Sequence, residues 1–199
     1  MAKFFKSAWF KCTAVLLAIA VISGGLLALL NDVLYVSPEE RTGRALQKIY
    51  DKALTSDEYD VILDVDSGDT AIAYDFGQIE KIFIVGEENE EHDLLFKTTG
   101  SEGYKGGTVT MWIKVVVDGS DKQIDKVIID GNTKQTLMSK LGKSFTNGFY
   151  IDISNNYNTY FTARVKEDGN KNPVTGATYS SQAGCNAVNC VIEYLKGVN

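Results

Sequence analysis

Between Asn172 and Ser181 the chain reads Asn-Pro-Val-Thr-Gly-Ala-Thr-Tyr-Ser-Ser. Hydroxyls at Thr175, Thr178, Ser180 and Ser181, with small residues at Gly176 and Ala177, stand just before an apolar periodic run. That pattern describes a turn that brings side-chain hydroxyls and unpaired backbone N–H groups to the start of a helix. An anionic phosphate is stabilised most easily there, because the first N–H groups of a helix lack internal partners and the helix dipole is positive at that end. The small residues would let a bulky group approach the backbone. The same spacing also suits a plain cap, in which Thr178 or Ser180 only satisfies the helix end.

Other chemistry finds less support. His92 is the only histidine, which leaves no room for a His-rich metal or haem site and limits any Ser-His-Asp triad to one imidazole. Three cysteines in separate settings do not make a disulfide scaffold. Cys185 and Cys190 lie five apart on the last helix, about 140° around its axis, and read as packing residues. Cys12 reads as a small apolar residue at one end of an apolar run. The acidic run from Glu87 to Glu91 reads as a solvated turn, since it lacks the spaced oxygen ligands of a calcium loop.

The elements that must hold the turn follow from periodicity. Ala183, Ala187, Val188, Val191, Ile192 and Leu195 share one face of a helix expected over Ser180 to Lys196, with Gly197 at its stop. Upstream, the runs VILDV, TAIAYDF and KIFIV read as short strands, separated by turns at Ser67-Gly68-Asp69 and Gly77-Gln78. Thr108 to Val117 and Ile124 to Ile129 flank Asp118-Gly119 and read as a hairpin. Residues 134 to 145 read as a helix with Leu137, Met138, Leu141 and Phe145 on one side, and Tyr160 to Lys166 as a strand. Strands interrupted by helices, without regular alternation, predict an α+β fold with a mixed or antiparallel sheet.

From Cys12 to Leu30 there are 19 residues without a charge. At 1.5 Å per residue such a helix spans about 28 Å, close to a bilayer's hydrocarbon core. The run is longer than a usual signal-peptide core, and no clear cleavage site follows it, so an uncleaved anchor is expected. Lys3, Lys6 and Lys11 precede it while Asp32, Glu39 and Glu40 follow, which places the N-terminus in the cytoplasm and the body outside the inner membrane. Ser37-Pro38-Glu39-Glu40 then reads as a capped helix start. The expected organisation is a cytoplasmic tip and transmembrane helix over 1–31, a stalk helix over 32–58 and an extracytoplasmic domain over 59–199. The chain holds 20 basic and 26 acidic side chains; without the three lysines of the first 30 residues the body has 17 against 26, or −9. Nucleic acid is therefore not an expected partner.

The run Thr175-Gly176-Ala177-Thr178 with Tyr179-Ser180-Ser181 resembles the S/T-G-A-T-x-S/T signature of FMN-binding domains. The arrangement with one N-terminal span is similar to the single-span flavoprotein component of Rnf-type ion-translocating electron transport complexes, and less so to the longer FMN-carrying component of the Na⁺-translocating NADH:quinone reductase. A weaker match is Gly103-Tyr104-Lys105-Gly106-Gly107-Thr108-Val109. The resemblance implies FMN esterified through its phosphate to the Thr178 hydroxyl, with Thr175, Gly176, Ala177, Ser180 and Ser181 around the phosphate. Tyr104, Trp112, Thr133 and Leu137 are candidates to touch the ring, each equally readable as core or loop. It further implies an electron-carrying component of a ferredoxin:NAD⁺-type oxidoreductase, other membrane subunits as partners and a flavin transferase for attachment. The chain departs from the pattern at Asn172, where the family has an acid, and over Asn132 to Met138, where it has E-T-P-G-L-G. Two further readings stay open: an FMN-carrying domain of another extracellular electron-transfer system, and a non-enzymatic membrane-tethered binding module in which the turn is only a cap.

Overall fold

The computed structural model describes residues 8–86, 91–150 and 160–197. The lysines at 3 and 6 and most of the acidic run at 87–91 lie outside them. The chain divides into two compact units, one up to Arg41 and one from Thr42 onward.

In the first unit, α1 (Ala8–Leu34) is a 27-residue helix. Its stretch Lys11–Leu34 is long and apolar enough to cross a membrane. A second helix, α2 (Pro38–Tyr50), starts where the cap signature predicts: the Glu40 N–H donates to Ser37 Oγ at 3.1 Å. From Thr42 on, this helix belongs to the second unit. Its Ala45, Leu46 and Ile49 pack against Phe83, Leu95 and Trp112, so the segment expected as a stalk lends half its length to the domain core.

The second unit is built on an antiparallel sheet of six strands: β1 (Tyr59–Asp64), β2 (Ile72–Tyr74), β3 (Gly77–Val85), β4 (His92–Gly100), β5 (Thr108–Asp118) and β6 (Asp121–Thr133). The order is β1-β3-β4-β5-β6, with β2 also paired to β3. Alternation along β4 and β5 sends Phe96, Met111 and Ile113 to one face and Leu95 and Trp112 to the other. The first face is covered by α4 (Thr178–Gly197), whose buried stripe includes Ala183, Ala187, Val188, Val191 and Leu195. The second receives α2. A short helix, α3 (Lys143–Asn147), and a two-stranded parallel pair, β7 (Phe161–Thr162) and β8 (Asn170–Lys171), complete the unit.

The helix–sheet contact is tight for an identifiable reason. A Cβ on Gly100 would lie 2.0 Å from the Ala183 carbonyl oxygen and 2.3 Å from the Ala187 nitrogen, so only glycine lets α4 lie this close to β4. Asn189 fastens the same helix to β7, accepting from the Phe161 N–H at 2.7 Å and donating to the Phe161 carbonyl at 3.0 Å.

Three sequence expectations need correction. Residues 134–145 do not form one helix: Lys134 takes φ +55°, a 3-10 turn occupies Met138–Lys140, and α3 begins only at Lys143. The apolar spacing is satisfied by Leu141 and Phe145, which are buried, while Leu137 stays exposed. The strand expected over Tyr160 to Lys166 is only Phe161–Thr162. The turn expected at Gly77-Gln78 falls two residues earlier, at Asp75-Phe76, since Gly77 already pairs with Tyr74 and Gly100.

Candidate functional site

The Thr175–Ser181 turn does open the last helix. The Ala177 N–H donates to the Val174 carbonyl at 2.9 Å, closing the turn, and Thr178 is the first residue of α4. Gly176 adopts φ +74°, a left-handed conformation that glycine takes at low cost. A side chain there would also meet Lys140, whose Nζ lies 2.7 Å from the position of a Cβ. The ammonium group of Lys140 therefore sits directly on the turn.

Within the turn the hydroxyls part company. Thr175, Thr178 and Tyr179 are exposed, whereas Ala177, Ser180 and Ser181 are buried. Ser181 Oγ donates to the Ala177 carbonyl at 2.9 Å, and its N–H donates to the same oxygen at 2.9 Å. Ser180 Oγ donates to Gln135 Oε1 at 2.8 Å. Both serine hydroxyls and the Ser181 N–H thus donate to groups within the fold. Thr178 differs: among the described residues no side chain bonds its hydroxyl. It borders an open cleft of about 630 Å³ that it shares with Ala163–Glu167 and Pro173–Gly176.

Gln135 ties this end together. Its Oε1 also accepts from the Tyr104 N–H at 3.2 Å, and its Nε2 donates to the Thr133 carbonyl at 3.0 Å. One amide thus joins the Gly103–Gly107 loop, the end of β6 and the first turn of α4. Tyr104 consequently stands beside Tyr179, ring centroids 6.3 Å apart in an edge arrangement. Thr133 bonds through its hydroxyl to Thr108, closing the hairpin end. Arg164, on the cleft wall, bridges Glu102 at 3.2 Å and Glu167 at 2.9 Å. Its guanidinium draws the Glu167 carboxyl below the ordinary carboxylate range.

Of the residues singled out in the sequence, the structure brings Tyr104, Thr133 and the Thr175–Ser181 turn to one end of the sheet. Trp112 is elsewhere: it is buried on the α2 face, stacked on Phe83 at 6.1 Å. Asn172, where the family pattern has an acid, is structural here, donating to the Phe145 carbonyl at 2.9 Å. Cys185 and Cys190 are buried in the core, and burial pushes both thiols up to about 12. Gln135, Lys140 and Arg164 are the members of this site that sequence reasoning missed. Nothing local marks them, because each reaches the turn only through chain folding.

No family model matches the chain, and no solved structure matches it. Among curated proteins it is similar to the F7-2 fimbrial protein of Escherichia coli and to that of Escherichia coli O6:H1. Each is 27% identical over 142 residues, covering 62% of this chain and 74% of the relative.

These findings overturn the expected membership of the FMN-binding, Rnf-type family: no model of it matches, and the likeness found is to a fimbrial protein. The expected electron-transfer function, the ferredoxin:NAD⁺ oxidoreductase role and the partner subunits and flavin transferase fall with it. The physical reason is that a seven-residue motif is a narrow base. Its glycine, its alanine and both serines are accounted for by turn geometry, burial and hydrogen bonds internal to the fold.

Proposed function

We propose that this chain is a membrane-anchored, extracytoplasmic module without catalytic activity of its own, acting in assembly or adhesion at the cell surface through the Thr178 end of its sheet. The observation that carries this reading is the likeness over 142 residues to a fimbrial protein. The apolar span of α1 supports the anchor, and the basic residues before it support the orientation. The site itself has the make-up of a contact surface. Exposed Tyr104 and Tyr179, a hydroxyl-bearing turn and an open cleft can bury area against a partner. Thr178 has no general base within bonding reach among the described residues, so nothing activates it as a nucleophile.

The test is fractionation of cells carrying the tagged full chain, with and without mechanical shearing, beside a deletion strain. The reading predicts full-length chain in carbonate-resistant membranes and a loss of surface-assembled material or adhesion on deletion. Recovery as a soluble cytoplasmic protein, or a deletion that leaves surface assembly and adhesion unchanged, overturns it.

A second proposal concerns Thr178 alone and assigns no electron-transfer role: its hydroxyl is the attachment point for a phosphate-linked cofactor, FMN. The favouring observation is an exposed hydroxyl at the N-terminus of a 20-residue helix, beside an open cleft and the Lys140 ammonium. Thr178 would hold the phosphate, and Lys140 and the helix dipole would offset its charge. An attached FMN would supply a redox-active ring at the cleft. In-gel flavin fluorescence of denatured protein, from a host that flavinylates other substrates, decides it. Fluorescence in the natural chain and none in Thr178→Ala supports attachment; a colourless natural chain overturns it.

A further inference from the structure

The strand register separates two ends of the sheet. At one lie Gly77, Gly100, Val109 and Asn132, which are successive cross-strand partners; at the other lie Val85, Asp93, Val116 and Gln123. The seven residue steps from Val109 to Val116 along β5 put about 23 Å between these rows. Charge is divided between these ends unevenly. The first end carries exposed Lys105, Lys134, Lys140 and Lys166, none of which is ion-paired to a carboxylate among the described residues. The acids near them are Glu102 and Glu167, both held by Arg164, with Asp130 and Asp168 further along the same loops and strand and exposed Asp75 in the turn before Gly77. The second end presents exposed Asp57, Asp60, Glu91, Asp118 and Asp121. Of the neighbouring cations there, Lys52 is paired with Glu58 and Lys122 is buried.

A chain whose body carries a net charge of −9 has no need of a lysine-rich end for solubility. Unpaired lysines gathered around two exposed tyrosines and an open cleft fit an acidic protein surface, and the opposite end of the same molecule supplies one. We infer that copies of this chain associate head to tail, the Thr178 end of one against the Asp118-Asp121 end of the next. Such a contact joins two different patches, so it does not close on itself by symmetry and can extend into open chains. Tyr104 and Tyr179 supply the apolar area, since exposed charges alone contribute little and mainly set orientation and rate. The inference rests on the placement of charge along the sheet and stands apart from the likeness to a fimbrial protein.

Sedimentation velocity of the full chain in detergent tests it. At about 50 mM NaCl the natural chain is expected to grow in mass with concentration, and at about 500 mM NaCl to return to single chains as screening shortens the reach of exposed charges. Lys134→Glu with Lys140→Glu reverses the first end, and Asp118→Lys with Asp121→Lys reverses the second. Each double variant alone is expected to associate at least about tenfold more weakly. Mixed in equal amounts, the two are complementary at both contacts, the natural pair of ends and the reversed pair, and should associate again into mixed chains, a result that misfolded variants would not give. Single chains at all concentrations in the low-salt buffer overturn the inference. So does association that survives high salt, or that persists undiminished in each double variant alone, which would place the contact on the apolar helix.

Discussion

The two faces of the sheet are held by different physics. On the α4 face the contact is close and largely apolar: Met111, Ile113 and Phe96 meet Ala183, Ala187 and Val191, and Gly100 removes a side chain that would hold helix and sheet apart. On the α2 face a small apolar cluster of Leu46, Ile49, Phe83, Leu95 and Trp112 is ringed by ion pairs. Lys81 reaches Asp64 and Asp66 at 2.8 Å each and donates to Thr42 Oγ1 at 3.1 Å; Lys114 reaches Asp93 at 3.2 Å and Asp125 at 3.0 Å. Lys126 adds a bond to the Ile49 carbonyl at 2.7 Å. The apolar face specifies the fold and sets the position of the Thr178 turn. The charged face docks the latter part of α2, and its strength depends on salt and pH.

The comparison breaks most sharply at Gly100. Gly100→Val puts side-chain atoms where the α4 backbone lies, and backbone cannot yield as a flexible side chain can. Urea unfolding of the full chain in detergent should show a loss of about 3 kcal/mol or more. Leu46→Ala on the other face should cost about 2–3 kcal/mol by the transfer and cavity terms, and should free α2 while leaving α4 protected in hydrogen exchange.

Lys81→Ala should cost about 1–3 kcal/mol. Its side chain is only 3% exposed and leaves Asp64 unpaired, but Asp66 is 43% exposed and water takes over part of that role.

How far these elements could be read beforehand depended on how local their causes are. The α4 stripe, the β5–β6 hairpin around Gly119 and the Ser37 cap are written in nearest neighbours and appear as read. The strand β4 went unread, because Leu94, Leu95 and Phe96 are buried on both faces of a central strand and show no alternation. The stretch 134–145 misled, since Leu141 and Phe145 reach the core from a bent loop whose left-handed Lys134 no periodicity announces. At the site, the Thr178 turn was visible as a turn, yet its use was not. Gln135 and Lys140 arrive from more than 35 positions away in sequence, and only folding brings them to it.

Titration offers a finer separation of the faces. Lys81 keeps its proton above the ordinary 10.5, because the bonds to Asp64 and Asp66 outweigh its desolvation. A raised folded value means the contribution is fully present below the unfolded value and is lost as pH rises through the folded one. Stability on the α2 face should therefore hold through neutral pH and fall only in strong alkali, and Lys81→Met should remove that alkaline loss. The effect should be read as hydrogen exchange at α2 relative to α4. Smallest of all should be Thr178→Ala, within about 0.5 kcal/mol of the natural chain, since an exposed hydroxyl without a side-chain partner holds nothing in place.

The claim on which the functional reading turns is that the Thr178 end stands outside the cell on an uncleaved anchor. Thr178→Cys in a Cys12→Ser background provides the direct measurement, because the two remaining thiols, Cys185 and Cys190, are buried. Spheroplasts are treated with a membrane-impermeant maleimide, and the labelled chain is weighed intact. The account predicts labelling before permeabilisation on a chain of full length. Labelling that appears only after the membrane is opened, or on a chain lacking α1, contradicts it.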